Sequence, residues 1–189
     1  MKCFDQFIED LRAIWADTPD LEQRMTRAKA KIEILLGDKD LLKASKDWPC
    51  TDPHKNLLFY EDPDYGFVIN GVVRSPGRKG GIHDHAQAWV LYGLLDGTET
   101  LERYQRIDDG SKPGYAEIKL TSAPQGSPGQ ADLVPPYDIH SEKGGPGRSV
   151  AVIVRSERLV GHTLQGRYNP ETNEYHEGHG PDQIPYQIP

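Results

Sequence analysis

The chain has few of the residues that cross-link small proteins or carry them into membranes. Only two cysteines, Cys3 and Cys50, occur among its 189 residues, and they form no CxxC pair. We therefore expect free thiols rather than a disulfide framework or a zinc–thiolate site. No apolar run approaches the roughly 20 residues of a membrane helix. The segment Met1–Asp5 lacks the basic and apolar regions of an export signal, which favours a cytoplasmic location.

Basic residues are also too scarce for a nucleic-acid-binding protein. The sequence has 22 Lys and Arg against 29 Asp and Glu, a formal net charge of −7. Broad nucleic-acid binding depends on a basic surface. The expected partner is a small molecule rather than a nucleic acid or a membrane. A chain of this length can bury enough apolar surface to fold as one domain, with or without a helical attachment.

Residues 1–50 form the first region and have a helical pattern. Apolar side chains recur at helical spacing over residues 4–15 and again over residues 21–35. Thr18-Pro19 predicts the start of the second helix, because threonine can cap and proline suits a first turn. Gly37 predicts its end. A short third helix is expected around residues 41–44.

From Asn56 onward, short apolar runs alternate with turn residues, which predicts many short strands. We assign residues 51–177 to an all-β sandwich or barrel, with a loop at residues 124–129. Residues 178–189 hold three prolines and two glycines. That composition predicts an extended C-terminal arm or a poorly ordered tail. The expected fold class is mainly β, with an N-terminal helical segment.

Two histidines of residues 81–85 are the first candidates for chemistry. In a strand, alternation would place His83 and His85 on one face and Asp84 on the other. Two imidazoles on one face can bind one ion, although an HxH sequence alone is more typical of two surface or hydrogen-bonded histidines. Asp84, facing away, is expected to make a structural hydrogen bond.

The spacing around these histidines resembles the first motif of the cupin superfamily. That motif places a glycine five residues before HxH, a glutamate three or four residues after it, and a second glycine six residues later. Here Gly77, His83, His85, Val90 and Gly97 have this spacing, with valine in the glutamate position. The resemblance implies a jelly-roll-like β-barrel.

The second cupin motif is matched further along the chain. Gly129 precedes Pro135 by five residues, His140 follows Tyr137 by two, and Gly144 comes three residues after the histidine. Tyr137 and Gly144 replace the usual glycine and asparagine. By this resemblance the third metal ligand is His140, together with His83 and His85.

Val90 cannot bind a metal, so we expect three neutral imidazoles and no carboxylate at the site. A divalent ion there keeps its full charge and favours a substrate that binds it directly as an anion. Three protein ligands leave about three open positions in an octahedral centre, enough for a bidentate substrate and dioxygen. Fe(II) is the expected metal, while nickel, zinc and manganese also fit imidazole ligands.

A closer resemblance is to the thiol dioxygenases, the family of cysteine dioxygenase and 3-mercaptopropionate dioxygenase. It is carried by Lys55-Asn56-Leu57-Leu58, by Ile82–His85, by Gly93–Gly97 leading to Glu102-Arg103-Tyr104, and by Asp138-Ile139-His140. These enzymes insert both atoms of dioxygen into a thiol and form a sulfinate. The resemblance implies an iron enzyme with a small-molecule substrate and dioxygen as partners. By analogy with cupins, a homodimer is a further expectation.

The chain departs from that family after the third histidine. The strand expected at Val150–Ser156 lacks the histidine and tyrosine of the family's serine–histidine–tyrosine triad. In our alignment Val90 also takes the place of a cysteine that some members crosslink to tyrosine. A substrate other than cysteine therefore stays open, as do cleavage of a β-diketone and a non-catalytic metal-binding cupin.

Three further residues are candidates for the substrate or the reaction. Lys55 takes the position of the arginine that binds the substrate carboxylate in cysteine dioxygenases, and it is equally expected as an exposed lysine. Arg155 on its strand can point inward toward a substrate or a structural anion. Tyr137 can donate to oxygen or substrate, or simply pack in its turn.

The polar segment 161–180 is a candidate cover for the barrel mouth. It contains His162, His176 and His179, for which surface positions are the alternative. His54, beside a turn, has no expected role.

Overall fold

The computed structural model describes residues 1–159 and 161–189. The chain begins with three α-helices, α1 (Lys2–Asp17), α2 (Leu21–Leu36) and α3 (Lys39–Ala44), and a 3-10 turn over Ser45–Asp47. The apolar stripes predicted for α1 and α2 are confirmed as buried faces, which include Leu11 and Ile32.

The predicted start of α2 at Thr18-Pro19 is wrong. Thr18 instead follows the last turn of α1, and its backbone N–H donates to the carbonyl of Ile14. The N-cap of α2 is Asp20, whose carboxylate accepts from the backbone N–H of Gln23 at 2.8 Å. Aspartate is as good a cap as threonine, and an extended backbone at Asp20 fixes the start there. The end of α2 at Gly37 is confirmed.

Thirteen strands follow the helices in the part of the chain that the structure describes. They are β1 (Lys55–Glu61), β2 (Val68–Arg74), β3 (Ile82–His83), β4 (Val90–Asp96), β5 (Glu99–Arg106), β6 (Ile118–Ser122), β7 (Gln125–Gly126), β8 (Ala131–Val134), β9 (Ile139–Gly144), β10 (Ser149–Arg155), β11 (Gln165–Asn169), β12 (Glu174–Gly178) and β13 (Asp182–Pro185). The two-residue strand β7 lies in the stretch 124–129 that was expected to be a loop.

The strands form two sheets. One has the order β13-β1-β2-β10-β4-β8 and the other the order β12-β11-β3-β9-β5-β6, with β7 beside β5. Every pairing except that of β13 with β1 is antiparallel. The two sheets curl around a shared interior. This confirms the predicted fold class, a mainly β, jelly-roll-like barrel with an N-terminal helical segment.

The helices pack on the outer face of the six-stranded sheet. Helix α2 comes close to β4 because Gly93 has no side chain. A Cβ atom there would lie 2.7 Å from Leu36 and 3.1 Å from Ile32. Arg12 of α1 adds a polar contact, donating to Asp62 and Asp64 after β1.

The C-terminal arm is ordered and adds an edge strand to the same sheet. Strand β13 pairs in parallel with β1, and the backbone N–H of Tyr186 donates to the carbonyl of Leu58 at 2.9 Å. Ile188 is buried in the core beneath the helices. Residues 182–185 of the expected arm therefore lie along the barrel as an edge strand.

The last features of the fold concern the two cysteines and the length of the helices. Cys3 and Cys50 are free thiols, as predicted. Among the helices described, none is long and apolar enough to span a membrane.

Candidate metal centre

The second sheet brings the three predicted metal ligands together. Strand β3 lies between β9 and β11, and His83 stands directly opposite His140 in the register. Residues opposite one another on adjacent strands point to the same face. His85 follows immediately after β3, and the three rings have centroids 4.5–4.8 Å apart. One ring nitrogen from each histidine lies within 4.8 Å of the other two.

Asp84, between the two histidines, faces away from them and fixes the bend after β3. Its carboxylate accepts from the Tyr168 hydroxyl at 2.7 Å and from the backbone N–H groups of Ala86 and Gly166 at 2.8 and 3.1 Å. A Cβ atom on Gly166 would lie 2.2 Å from this carboxylate, so only glycine leaves it room. The predicted structural hydrogen bond of Asp84 is confirmed. The expected strand, however, ends at His83.

Backbone carbonyl groups orient two of the imidazoles. Nδ1 of His83 lies 3.0 Å from the carbonyl oxygen of Gly81, and Nδ1 of His140 lies 2.8 Å from that of Asp138. Since a carbonyl can only accept, each Nδ1 carries a hydrogen and each Nε2 is left to face the cluster. Outer partners of this kind orient histidines that bind metals.

Two ring nitrogens in the cluster are buried without a partner. They are Nδ1 of His85 and Nε2 of His140. Buried polar atoms normally have a hydrogen-bond partner, so an orphaned pair in one cluster calls for an explanation. A metal ion would provide it for Nε2 of His140, the ring nitrogen that its Nδ1 contact with Asp138 leaves facing the cluster, because imidazole nitrogen is a preferred ligand of iron, nickel and zinc. These residues fit a divalent metal ion.

The environment also keeps the imidazoles in the form that binds metal. Burial lowers the pKa of all three rings, and it lowers the pKa of His83 to about 3, with the neighbouring His140 contributing. A neutral imidazole has the free lone pair that ligation requires. At neutral pH the cluster therefore offers three neutral nitrogen donors.

The histidines lie in a cavity of about 110 Å³ between the two sheets, which His83 and His85 line together with four arginines. A volume of this size corresponds to roughly seven to eleven water-sized spheres. The four arginines are Arg74, Arg78, Arg155 and Arg167. The cavity is therefore small and strongly basic.

Arg155 is the most unusual of these arginines, because its guanidinium is buried among neutral partners. It donates to the side-chain oxygen of Asn70 and, with the Asn56 amide oriented to accept, to Asn56 at 3.1 Å. Within the described residues, no carboxylate lies within 4.0 Å of it. Burial lowers the pKa of Arg155 to about 10, an effect that the charge of Glu142 opposes. A buried cation without an anionic partner is costly.

Arg167 also lacks a carboxylate partner within the described ranges. It stands opposite His83 on β11 and donates to the side chain of Gln165 at 3.3 Å and to the carbonyl of His179 at 3.2 Å. Arg74 and Arg78, by contrast, contact carboxylates. The uncompensated positive charge of the cavity thus lies on Arg155 and Arg167.

A carboxylate does lie beside the imidazoles, contrary to the expectation that none would. Oε1 of Glu142 is 3.5 Å from Nε2 of His140, while Val90 is buried in an apolar cluster, as expected of a residue that binds no metal. Burial by itself raises the pKa of Glu142. The proximity of His140, His83 and Arg74 lowers it, and the net direction is below the usual pKa of a glutamate. Glu142 is ionised at neutral pH.

Of the three substrate and reaction candidates, only Arg155 lies in the cavity. Lys55 is exposed. It alternates along β1 with Asn56, and because Asn56 lines the cavity, Lys55 points outward. Tyr137 is 65% exposed, and its backbone N–H donates to the carbonyl of Ala86 at 2.8 Å. Tyr137 lines a separate depression with Asp84 and Tyr168.

The C-terminal segment 161–180 forms part of the barrel wall through β11 and β12. Gln165 and Arg167 of β11 line the cavity, and His54 lies at its edge. His176 and His179 line a neighbouring depression with His54. Among the described residues, none of the other histidines joins the metal cluster.

Several cavity residues were missed by the sequence analysis. They are Asn56, Arg74, Glu142, Gln165 and Arg167. One signal was present for Glu142: it follows His140 by two residues on one strand, which places both side chains on the same face. The other residues come from strands whose neighbours the sequence does not specify.

No family model matches the sequence, and no curated protein is significantly similar to it. Among solved structures, the chain is similar to the DMSP lyase DddQ from Ruegeria pomeroyi DSS-3, with 16% identity over 54% of this chain and 43% of that one, and a TM-score of 0.40. KdgF from Halomonas sp. matches with 18% identity over 59% of this chain and 86% of that one, at a TM-score of 0.45.

An oxalate oxidase matches with 20% identity over 64% of this chain and 61% of that one, at a TM-score of 0.45. The match spans only 43% of DddQ, and only 37% of the matched chain in crystal structures of the DMSP lyases RdDddP and RnDddQII. The strand order and pairing described above make the chain a mainly β, jelly-roll-like barrel. Its interior carries a cluster of three histidines that can hold a divalent metal ion.

Proposed function

We propose that the protein is a non-haem iron dioxygenase that oxidises a small anionic substrate, most like a thiol dioxygenase that forms a sulfinate. One observation carries the proposal. The cluster of three imidazoles opens, through His83 and His85, into a small cavity that also contains Arg155, a buried guanidinium without a carboxylate partner among the described residues. The histidines would hold the metal, and the arginine would bind the anionic group of the substrate.

His83, His85 and His140 would hold Fe(II), which supplies a Lewis-acidic, redox-active centre for a thiolate and dioxygen. In the overall reaction a thiol and dioxygen give a sulfinate and a proton. Both oxygen atoms go to sulfur, which loses four electrons to dioxygen. The chain's own residues bind and orient the substrate for this reaction.

Arg155 and Arg167 would set the position of the substrate. Both line the cavity with His83 and lack carboxylate partners within the described residues, so a bound anion would compensate their charge. A carboxylate can accept two parallel hydrogen bonds from a guanidinium, which fixes its orientation. We therefore favour a small thiol whose other end is a carboxylate.

Oxygen uptake by the Fe(II)-loaded, reduced protein tests this function. The substrates are 3-mercaptopropionate, cysteine, cysteamine and acetylacetone. We expect the fastest uptake with 3-mercaptopropionate and the slowest thiol oxidation with cysteamine, whose ammonium would face the arginines. Uptake with acetylacetone alone would favour cleavage of a β-diketone. No uptake with any of the four would contradict the dioxygenase and favour a metal-binding protein that holds nickel, zinc or manganese.

Arg155→Met separates substrate binding from metal binding in the same assay. A methionine fills similar space without charge. We expect KM for the carboxylate thiol to rise about 10- to 100-fold, since hydrogen bonds to charged groups contribute about 1.5–3 kcal/mol. Iron content should not change. Lys55→Met is the matched control and should leave KM within about twofold, because Lys55 points out of the cavity.

A further inference from the structure

Glu142 is a buried carboxylate on the same strand and the same face as His140. It is 5% exposed and lines the cavity with His83 and His85. Two residues along a strand bring side chains to the same side of the sheet. The carboxylate therefore lies on the same side of the sheet as the ring of His140.

The distance between Glu142 and His140 is too long for a charge-assisted hydrogen bond between their two facing atoms. Oε1 of Glu142 is 3.5 Å from Nε2 of His140, and Nε2 has no hydrogen-bond partner. A hydrogen bond between an imidazolium and a carboxylate would be shorter, about 2.7–2.9 Å. Without a proton between them, two acceptor atoms face each other, which is unfavourable unless a cation is shared.

The separation suits two ligands of one metal ion. Nitrogen and oxygen ligands lie about 2.0–2.2 Å from such an ion, which places two neighbouring ligand atoms about 2.8–3.1 Å apart in octahedral geometry and about 3.3–3.6 Å apart in tetrahedral geometry. The observed distance of 3.5 Å between Glu142 and His140 lies within the tetrahedral range and exceeds the octahedral one by a few tenths of an ångström.

The second oxygen of Glu142 is held from outside the cluster. Nη2 of Arg74 donates to Oε2 at 3.3 Å, which leaves Oε1 as the oxygen that faces His140. Ligating carboxylates are commonly oriented by an outer hydrogen bond of this kind. Arg74 therefore fixes the direction in which Glu142 presents its free oxygen.

We propose that Glu142 is a fourth protein ligand of the metal, in place of the first-motif carboxylate that Val90 replaces. This inference rests on the metal centre of the proposed function. The negative charge of the Glu142 carboxylate would reduce the net charge of a divalent centre. With four protein ligands, about two coordination positions instead of three would stay open in an octahedral site. The substrate would then bind the metal through one anionic donor beside dioxygen, while Arg155 binds its other end.

Titration with Co(II) under anaerobic conditions tests this assignment without turnover. We expect Glu142→Gln to weaken Co(II) binding by about 10- to 100-fold, at least as much as the loss of an outer partner. The visible absorption of bound Co(II) should also change, because its ligand set and charge change. Affinity and spectrum are measured on the full chain, with circular dichroism to verify the fold.

Glu99→Gln is the matched control. Glu99 is equally buried and also contacts Arg74, at 3.6 Å, but it bonds Tyr92 and Ser149 and does not line the histidine cavity. We expect this variant to keep wild-type Co(II) affinity within twofold. Wild-type affinity and spectrum in Glu142→Gln would overturn the proposal and leave Glu142 as a partner of Arg74 alone.

If Glu142→Gln does not fold, Glu142→Asp gives the answer, because it keeps the charge and shortens the reach. An altered spectrum with weaker binding supports ligation, and an unchanged spectrum contradicts it. Failure of wild-type protein to bind Co(II) would reject both the ligand and the metal centre. Normal Co(II) binding without oxygen uptake in the iron form would reject the dioxygenase alone.

Discussion

The two faces of the six-stranded sheet are formed by the same strands but carry different kinds of side chain. On β10, the residues that face the helices belong to one large apolar cluster, and they are Val150, Val152 and Val154. The intervening residues face the barrel interior, where Ala151 and Ile153 are followed by Arg155. The same alternation divides β4 into Leu91 on the helix side and Tyr92 on the cavity side.

The helix side of the sheet stabilises the fold, whereas the cavity side carries the residues of the candidate site. Side chains on the helix side are interchangeable with others of similar shape, because burial of apolar surface is non-directional. On the cavity side, Arg155 and Glu142 are buried charges whose value depends on specific partners. Substitutions on the helix face should therefore change stability, and those on the cavity face should change metal and substrate binding.

The largest expected effect is on the cavity side. We expect His140→Ala to lower the affinity for Fe(II) or Co(II) about 1000-fold or more, about 4 kcal/mol, because it removes one of three converging nitrogen donors. Metal content after dialysis measures the loss. The melting temperature of the metal-free protein should change by only a few degrees. Unaltered metal content would reject the ligand assignment.

The next effect is on the helix side of the same sheet. We expect Leu91→Ala to reduce the free energy of unfolding by about 3 kcal/mol, since Leu91 is fully buried beneath the helices. Urea unfolding of the metal-free protein measures it. Leu91→Met, which conserves volume, should cost less than about 1.5 kcal/mol. Weaker Co(II) binding by the folded Leu91→Ala protein would show that the two faces are not independent.

A smaller effect concerns the polar edge of the helix side, where Arg12 of α1 contacts Asp62. Burial raises the pKa of Asp62, but hydrogen bonds from the backbone N–H groups of Tyr65 and Asp64 and from the side chains of Tyr60 and Arg12 outweigh it and lower that pKa. A carboxyl whose pKa is lower in the folded state stabilises the fold above its unfolded pKa of about 3.9. That stability is lost as the pH falls through the folded pKa.

We therefore expect Asp62→Asn to cost about 2 kcal/mol at pH 7, and the difference from wild type to shrink below about pH 4. Thermal unfolding between about pH 2 and 7 measures both. Asp64→Asn is the control, because Asp64 contacts the same arginine but is 64% exposed. If the stability difference between Asp62→Asn and wild type did not depend on pH, the shape of the Asp62 side chain, and not its charge, would stabilise the packing of α1.

Local patterns predicted much of the fold because each depends on near neighbours in the chain. Helical spacing identified the buried faces of α1 and α2, and the sequence of turns identified the change to strands. The start of α2 was misplaced because Thr18 and Asp20 are both suitable caps, and only the path of the backbone selects Asp20. Strand β7 was missed because two residues are too short a pattern.

The candidate site was predicted only in part. Motif spacing selected His83, His85 and His140, which the structure brings together. It did not select Glu142, because the pattern sought a carboxylate at position 90. Lys55 was aligned to a position in a related family, but its neighbour Asn56 takes the inward direction.

The sequence by itself was enough to identify the three histidines as candidate ligands, the helical segment before the barrel and the alternation of side chains along each strand. Only the tertiary structure decided which strands lie opposite one another, and so which charges share the cavity. Arg155 on β10, Arg167 on β11 and Glu142 on β9 line one cavity because distant stretches of chain pair within each sheet and the two sheets face each other. The physical reason is that strand pairing depends on packing of the whole barrel, whereas the inward or outward direction of a side chain depends only on its neighbours in the strand.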